Sequence, residues 1–324
     1  MVAGILSFPP DSCYRDDRGE HSALQQEAAL ICVKARHERF GNKQTVRRPA
    51  PPEYGGNAVA EAVPVFASPS PVINRIGTDR PWSWLARGLQ DMRRAGVASV
   101  AYGALFAVLG IVMVGFAWVV GLRAVVLPLV AGFLLVGPLL AVGLYEISRQ
   151  LERGETVTPR TAFAAWRGNA SQIALMGLVL MLFFLAWIRL ATLIYALFFG
   201  SQAFELGAVV EQLFLTIDGL VFLIFGTVLG AVLAALVFAI SAVSIPMLLD
   251  RNVDVISAIA TSVVAVRENP IAMAVWAVLI VLFIGAGLVT GFIGLILTMP
   301  LIGHASWHAY RDLVAAPGQP AAGG

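Results

Sequence analysis

The chain has 324 residues, of which 58% are hydrophobic and only 13% charged, with a mean hydropathy of +0.80 and a formal net charge of +2. Soluble globular chains are about 45–50% apolar and about 25% charged, so this composition excludes a water-soluble domain. The near-neutral balance gives no reason to expect nucleic acid or another strongly charged partner.

The spanning elements must be helices or a closed barrel, because lipid cannot satisfy backbone polar groups, and continuous apolarity without strict alternation selects helices. A hydrocarbon core of about 30 Å requires about 20 apolar residues per span. Residues 1–74 contain RRPAPPEYGG and ASPSPV, mixed charge and no sustained apolar period. They read as disordered, with translation of sequence upstream of a misassigned start as the alternative. Cys13 and Cys32 both lie there, a pair without further ligands and therefore no metal site. From Arg80, the stretch RPWSWLARGLQDMRRAG places Leu85, Leu89 and Met92 at helical spacing behind Trp82 and Trp84, among Arg80, Arg87, Asp91, Arg93 and Arg94, with the arginines outward. That is an interfacial amphipathic helix, either a positive-inside anchor or a docking site for anionic lipid or a partner.

The first span is expected over Val97 to Val120 and the second over about Ala124 to Ile147, joined by a turn at Gly121 to Arg123. A polar connector, Ser148 to Ala170, carries Arg149, Arg153, Arg160 and Arg167. Gln172 to about Phe199 forms the third span, followed by a segment with Glu205, Glu211 and Asp218 and no Lys or Arg. Leu220 to Leu249 is the fourth span, and VISAIATSVVAVRE, within Asp250 to Asn269, is a second amphipathic connector. The basic segments belong to the cytoplasm and the acidic one outside.

A threefold grammar runs through these spans. Arg94-Ala95-Gly96, Arg167-Gly168-Asn169 and Arg267-Glu268-Asn269 open apolar stretches, and Pro138, Pro246 and Pro300 fall near their closing turns. Residues 271–313 are either one kinked helix or two helices turning near Gly285 to Gly291. The repeat favours two, giving an all-α membrane protein of six transmembrane helices arranged as three hairpins, with both termini cytoplasmic and a disordered tail over 316–324. Five spans with the C-terminal tail outside is the alternative. Positive-inside arginines and the frequency of proline in membrane helices also account for part of the pattern.

Few residues offer chemistry. His304 and His308 share a helical face, a spacing used for metal ligands, but no neighbouring cluster completes a site, and an aromatic-belted helix leaving the membrane explains them equally. Glu146 ends the second span where an arginine or the headgroups can meet it. Arg189 lies about 26 Å along its span counted from Gln172 at about 1.5 Å per residue. There it either snorkels or pairs with Glu205, Glu211 or Asp218, or else lines a substrate path. Gly226 and Gly230 have the small-residue spacing of close helix packing. No phosphate-cradling loop, nucleophile elbow or cysteine cluster is present, and no histidine precedes His304 in the spans, so no catalytic residue, metal or cofactor is expected.

The segments PWSWLARGLQDM, VGPLLAVGLYEISRQLERGE, SIPMLLDR and MPLIGHASWHAYRDL resemble the domain of unknown function 2189 family of bacterial integral membrane proteins. The resemblance extends over about residues 75 to 315 and implies a multi-span protein of the bacterial cytoplasmic membrane, with no activity or site residues to carry over. A cytochrome c oxidase subunit I label attached to some relatives conflicts with the histidine count. The expectation is a non-enzymatic protein that organises the membrane or assembles a partner complex, contacting the bilayer and either a membrane-protein partner or its own copies. A transporter or channel for a small or lipid-like solute is the alternative, and a redox-complex subunit a third.

Overall fold

The computed structural model describes residues 71–315 except 123–125, 159, 161, 163–164, 166–167, 201–210 and 212. The expected disordered segment up to residue 70, with Cys13 and Cys32, the tail over 316–324, and Glu205 lie outside the described residues. Ten helices are named here: α1 (Arg80–Ala95), α2 (Val97–Val119), α3 (Val126–Leu140), α4 (Val142–Glu152), α5 (Ala170–Phe199), α6 (Ile217–Ser241), α7 (Ser244–Asp250), α8 (Val255–Glu268), α9 (Pro270–Val289) and α10 (Leu295–Leu313).

Among the described residues, five helices are long and apolar enough to cross a membrane: Val97–Val119, Pro128–Glu152, Ala170–Phe199, Ile217–Asp250 and Pro270–Val289. The sixth expected helix is present as α10 (Leu295–Leu313) and is not among these five. The last apolar stretch does divide in two, but its turn lies at Thr290 to Gly294, just beyond Gly285 to Gly291. Gly291 (φ 67°) and Phe292 (φ 70°) both take the left-handed conformation there. The Thr290 hydroxyl donates to the Gly287 carbonyl at 2.9 Å and accepts from the Gly294 N–H at 2.8 Å. The returning helix α10 is apolar only in its first turns; His304, His308, Arg311 and Asp312 make it too polar to count as a sixth apolar span.

Proline shapes the even-numbered segments in three ways. In the second span Pro138 precedes a break at Ala141, and the Tyr102 hydroxyl donates to the Leu140 carbonyl at 2.8 Å beside it. Before Pro246 the helix breaks at Ala242 and Val243, and the Ser262 hydroxyl of α8 accepts the Val243 N–H at 3.1 Å. Pro300 lies inside an unbroken α10. A proline frees the carbonyl four residues earlier, here that of Ile296, and Gly103 of α2 packs directly against it.

The repeat is visible in the caps. Asn169 (φ −133°, ψ 49°) and Asn269 (φ −130°, ψ 51°) open α5 and α9 with nearly the same backbone. Asn169 donates to the carbonyls of Leu248 and Val253, each at 3.2 Å, around the start of α8. Asn269 donates to the Asn74 carbonyl at 3.0 Å and accepts from the Ile76 N–H at 2.8 Å, ahead of α1. Each cap thus binds the segment that leads into the next interfacial helix. The first unit has Gly96 instead, whose φ of 52° turns the chain from α1 into α2. An isolated antiparallel bridge joins Ile73 to Val314, with Asn74 N–H to Leu313 at 2.9 Å and Ala315 N–H to Val72 at 3.0 Å, so order extends upstream of residue 75.

The core surrounds α10, which packs on α1, α2, α4, α7 and α9. Close approach depends on glycines: Gly88 meets the Ala305 backbone and Gly303 meets Leu144. Trp84 and Trp276 pack edge to face, with centroids 5.5 Å apart. The α5–α6 hairpin is peripheral: only 6% of the most apolar window of Ile217–Asp250 is buried, against 39% for Val97–Val119. Gly226 has open space where a Cβ would point, whereas Gly230 faces the Trp187 ring at 3.2 Å. A Cβ at residue 103 overlaps the Ile296 carbonyl, so Gly103→Ala should lower stability by about 1–3 kcal/mol. Gly226→Ala should stay within about 0.5 kcal/mol of the parent. Thermal unfolding in detergent compares the two.

Candidate functional site

Every well-described polar feature of consequence lies at one end of the bundle, where α1, α4, α7, α8 and the second half of α10 meet. Its centre is His304, fully buried. The Ser148 hydroxyl donates to Asp91 Oδ2 at 2.8 Å, so its lone pair is what faces His304 Nδ1, also at 2.8 Å. Nδ1 therefore carries the proton, and Nε2 accepts from the Ser99 hydroxyl at 2.8 Å. His308 Nε2 donates to the same Asp91 oxygen at 2.8 Å. Serine, histidine, serine and carboxylate thus form one chain across α2, α10, α4 and α1. Two of its members, His304 and His308, share the face that their four-residue spacing dictates, but they contact hydroxyls and a carboxylate. Among the described residues no group of three His, Cys, Asp or Glu side chains is placed to hold a metal.

Around this centre α10 is anchored to every unit. Asp312 accepts from Trp84 Nε1 at 2.8 Å and from both terminal nitrogens of Arg87, at 3.2 and 2.5 Å. Glu152 accepts from Trp307 Nε1 at 3.0 Å and Arg311 Nε at 3.1 Å. The Tyr310 hydroxyl donates to Asp250 at 2.8 Å and accepts from Arg251 Nε at 3.0 Å. Glu146 is buried and sits 2.9 Å from Arg149. Arg149 Nη2 donates to Glu146 Oε1 at 3.3 Å, and Gln150 Nε2 donates to the same oxygen at 2.8 Å. Arg149 also donates to the Leu249 carbonyl at 2.9 Å.

The remaining polar candidates are not brought together. Arg189 is exposed on α5, and no ion pair joins it to Glu211 or Asp218 among the described residues. Asp218 is exposed in the first turn of α6, whose N-cap Thr216 accepts from the Gly219 N–H at 3.0 Å. The residue that sequence reasoning missed is Asp91, given no role there but only 6% exposed. A signal existed: Trp84, Gly88 and Asp91 fall on one helical face, the face that carries the buried tryptophan. Ser99 and Ser148 carried no such signal.

A second feature is a cavity of about 650 Å³ between α3, α6, α9 and α10. Its lining includes Phe133, Pro138, Ala234, Trp276 and Ile284, with Tyr145, Ser241 and Ser306 as its hydroxyls and no charged side chain. The cavity and the polar layer adjoin through Tyr145 and Ser306.

Asp91 lies outside the spans. Burial alone would raise its carboxyl, but the hydrogen bonds from His308 and Ser148 and the nearby imidazoles outweigh that and hold it below the ordinary carboxylate range. A carboxylate lowered in the folded state contributes stability that is complete above its unfolded value, about 4, and is lost as pH falls through the folded value. The melting temperature in detergent should therefore drop as pH falls below about 4. Asp91→Asn should flatten that slope and cost about 3–5 kcal/mol at neutral pH, the cost of breaking a buried pair.

No curated protein and no solved structure matches the chain. One family model does, and it covers two of the three units in part while leaving out the α10 motif. Residues 126–250, from the start of α3 to the end of α7, match the model of the domain of unknown function 2189 family, described as a predicted integral membrane protein.

Proposed function

We propose that this integral membrane protein is a non-enzymatic organiser of the bacterial cytoplasmic membrane, assembling a partner complex through its α5–α6 hairpin. The observation that carries this is the uneven burial of the spans. The windows of Val97–Val119 and Pro128–Glu152 are 39% and 44% buried, while those of Ala170–Phe199 and Ile217–Asp250 are 17% and 6% buried. Without a hydrophobic drive between helices in lipid, association rests on surface packing and small residues. The outer face of α6 offers Ile224, Val228 and Val232.

Two features favour a static assembly over a conduit for polar solute. The polar layer ties α10 to α1, α2, α4 and α7 through fixed hydrogen bonds, which resists the rocking of repeats that alternating access requires. The cavity lining carries no charge, and Arg189 stands on an exposed face away from it.

Photocrosslinking residues at Leu185 on α5 and Ile224 on α6 should each give a discrete protein adduct in native membranes, and the same probe at Val108 on α2 should give none. Lipid adducts alone at all three positions would overturn the assembly role. The arginines of the polar layer support a cytoplasmic position for that end and for both termini. A single cysteine in the C-terminal tail, with Cys13 and Cys32 replaced, should label only after permeabilisation. Labelling in intact cells would place the tail outside.

A further inference from the structure

The cavity between α6 and α9 requires an occupant. Bulk water is not available in the hydrocarbon region, and a trapped water needs several polar partners. Two of the hydroxyls lining the cavity are already spent: Ser241 donates to the Val237 carbonyl at 2.7 Å and Ser306 to the Ile302 carbonyl at 2.8 Å. The gap is set by side-chain size. Ala231, Ala234 and Ala235 on α6 face Ala274 and Ala277 on α9 across it, where larger side chains would have closed the helices together. Along α9 the lining runs from Pro270 to Ile284, about 21 Å at 1.5 Å per residue. That exceeds half of a hydrocarbon core about 30 Å thick, the depth of one leaflet.

The chain beside the lining residues Val266 and Pro270 carries a cation. Arg267, in the last turn of α8, is exposed and makes no ion pair among the described residues. In sequence it stands between the lining residues Val266 and Pro270. Its neighbour Glu268 is engaged elsewhere, by Arg75 at 2.8 Å.

We propose that the slot holds one acyl chain of an anionic membrane phospholipid, with the headgroup phosphate met by Arg267. An apolar channel of leaflet depth with a free arginine beside its lining has the polarity of such a lipid, chain inward and phosphate at the interface. This site goes beyond the assembly role, and its readout, lipid retention, is separate from the crosslinking that tests that role.

The test uses the full chain purified in mild detergent and native mass spectrometry. The wild type should carry an adduct of phospholipid mass, enriched in phosphatidylglycerol over phosphatidylethanolamine. Ala234→Leu with Ala277→Leu fills the slot and should abolish the adduct while the circular dichroism stays helical. Arg267→Gln changes an exposed side chain and so leaves the fold testable even if the filled variant does not assemble. It should weaken retention of added phosphatidylglycerol about fivefold, the contribution of one basic residue near an anionic surface, and leave phosphatidylethanolamine unchanged. A wild type without adduct, an adduct of fatty-acid mass, a well-folded filled variant that keeps its lipid, or an Arg267→Gln protein with unchanged phosphatidylglycerol retention would each overturn the proposal.

Discussion

A carboxylate withdrawn from water must be satisfied by protein groups, and Asp91 imposes that requirement on the whole bundle. Its partners come from α4 and α10, and through Ser148 and His304 the demand reaches Ser99 at the start of α2. Four helices are thereby fixed in rotation about their own axes, because each must turn one small polar group toward the same point. Apolar packing in lipid does not set such rotations, since acyl chains are as good a neighbour as leucine. The hydrogen-bonded centre selects the arrangement, and the glycine contacts at residues 88, 103 and 303 then allow the backbones to close on it.

The consequence for the two ends of the molecule is unequal. At the polar layer, α10 is bound by Asp312, Glu152 and Asp250 contacts to three different parts of the chain. Away from it the helices are held by packing, and alanines of α6 and α9 leave the cavity between them open. The α5–α6 hairpin packs on α3 and α8, and the Trp187 indole donates to the Pro128 carbonyl at 3.0 Å.

Much of this was legible in the residues. Spans Val97–Val119 and Ala170–Phe199 follow from unbroken apolarity, and Val255–Glu268 from its amphipathic period. The asparagines at 169 and 269 open α5 and α9 with nearly the same backbone, at positions the sequence pattern pairs. The α10 boundary was less legible because its turn uses Phe292 in the left-handed region, where a glycine pattern points to neighbouring positions instead. The sixth helix differs from the other spans in that the apolarity of Leu295 to Pro300 does not extend past His304. Asp91 was hidden for a different reason. Charge argues for exposure unless a partner is known, and the partner lies more than two hundred residues away, beyond the reach of any local pattern.

That separation has a bearing on biogenesis. His308 and Asp91 are 217 positions apart, and translation proceeds at about 5–20 residues per second. For roughly 10 to 40 s the first unit is therefore in the membrane while the histidines that complete its polar centre are still unsynthesised. During that interval Asp91, Ser99 and Ser148 have to remain hydrated at the interface, which the position of α1 outside the spans permits. The helix around which the core is built is the last to arrive, so the nascent protein is a set of loosely held hairpins until its final twenty or so structured residues lock them into place.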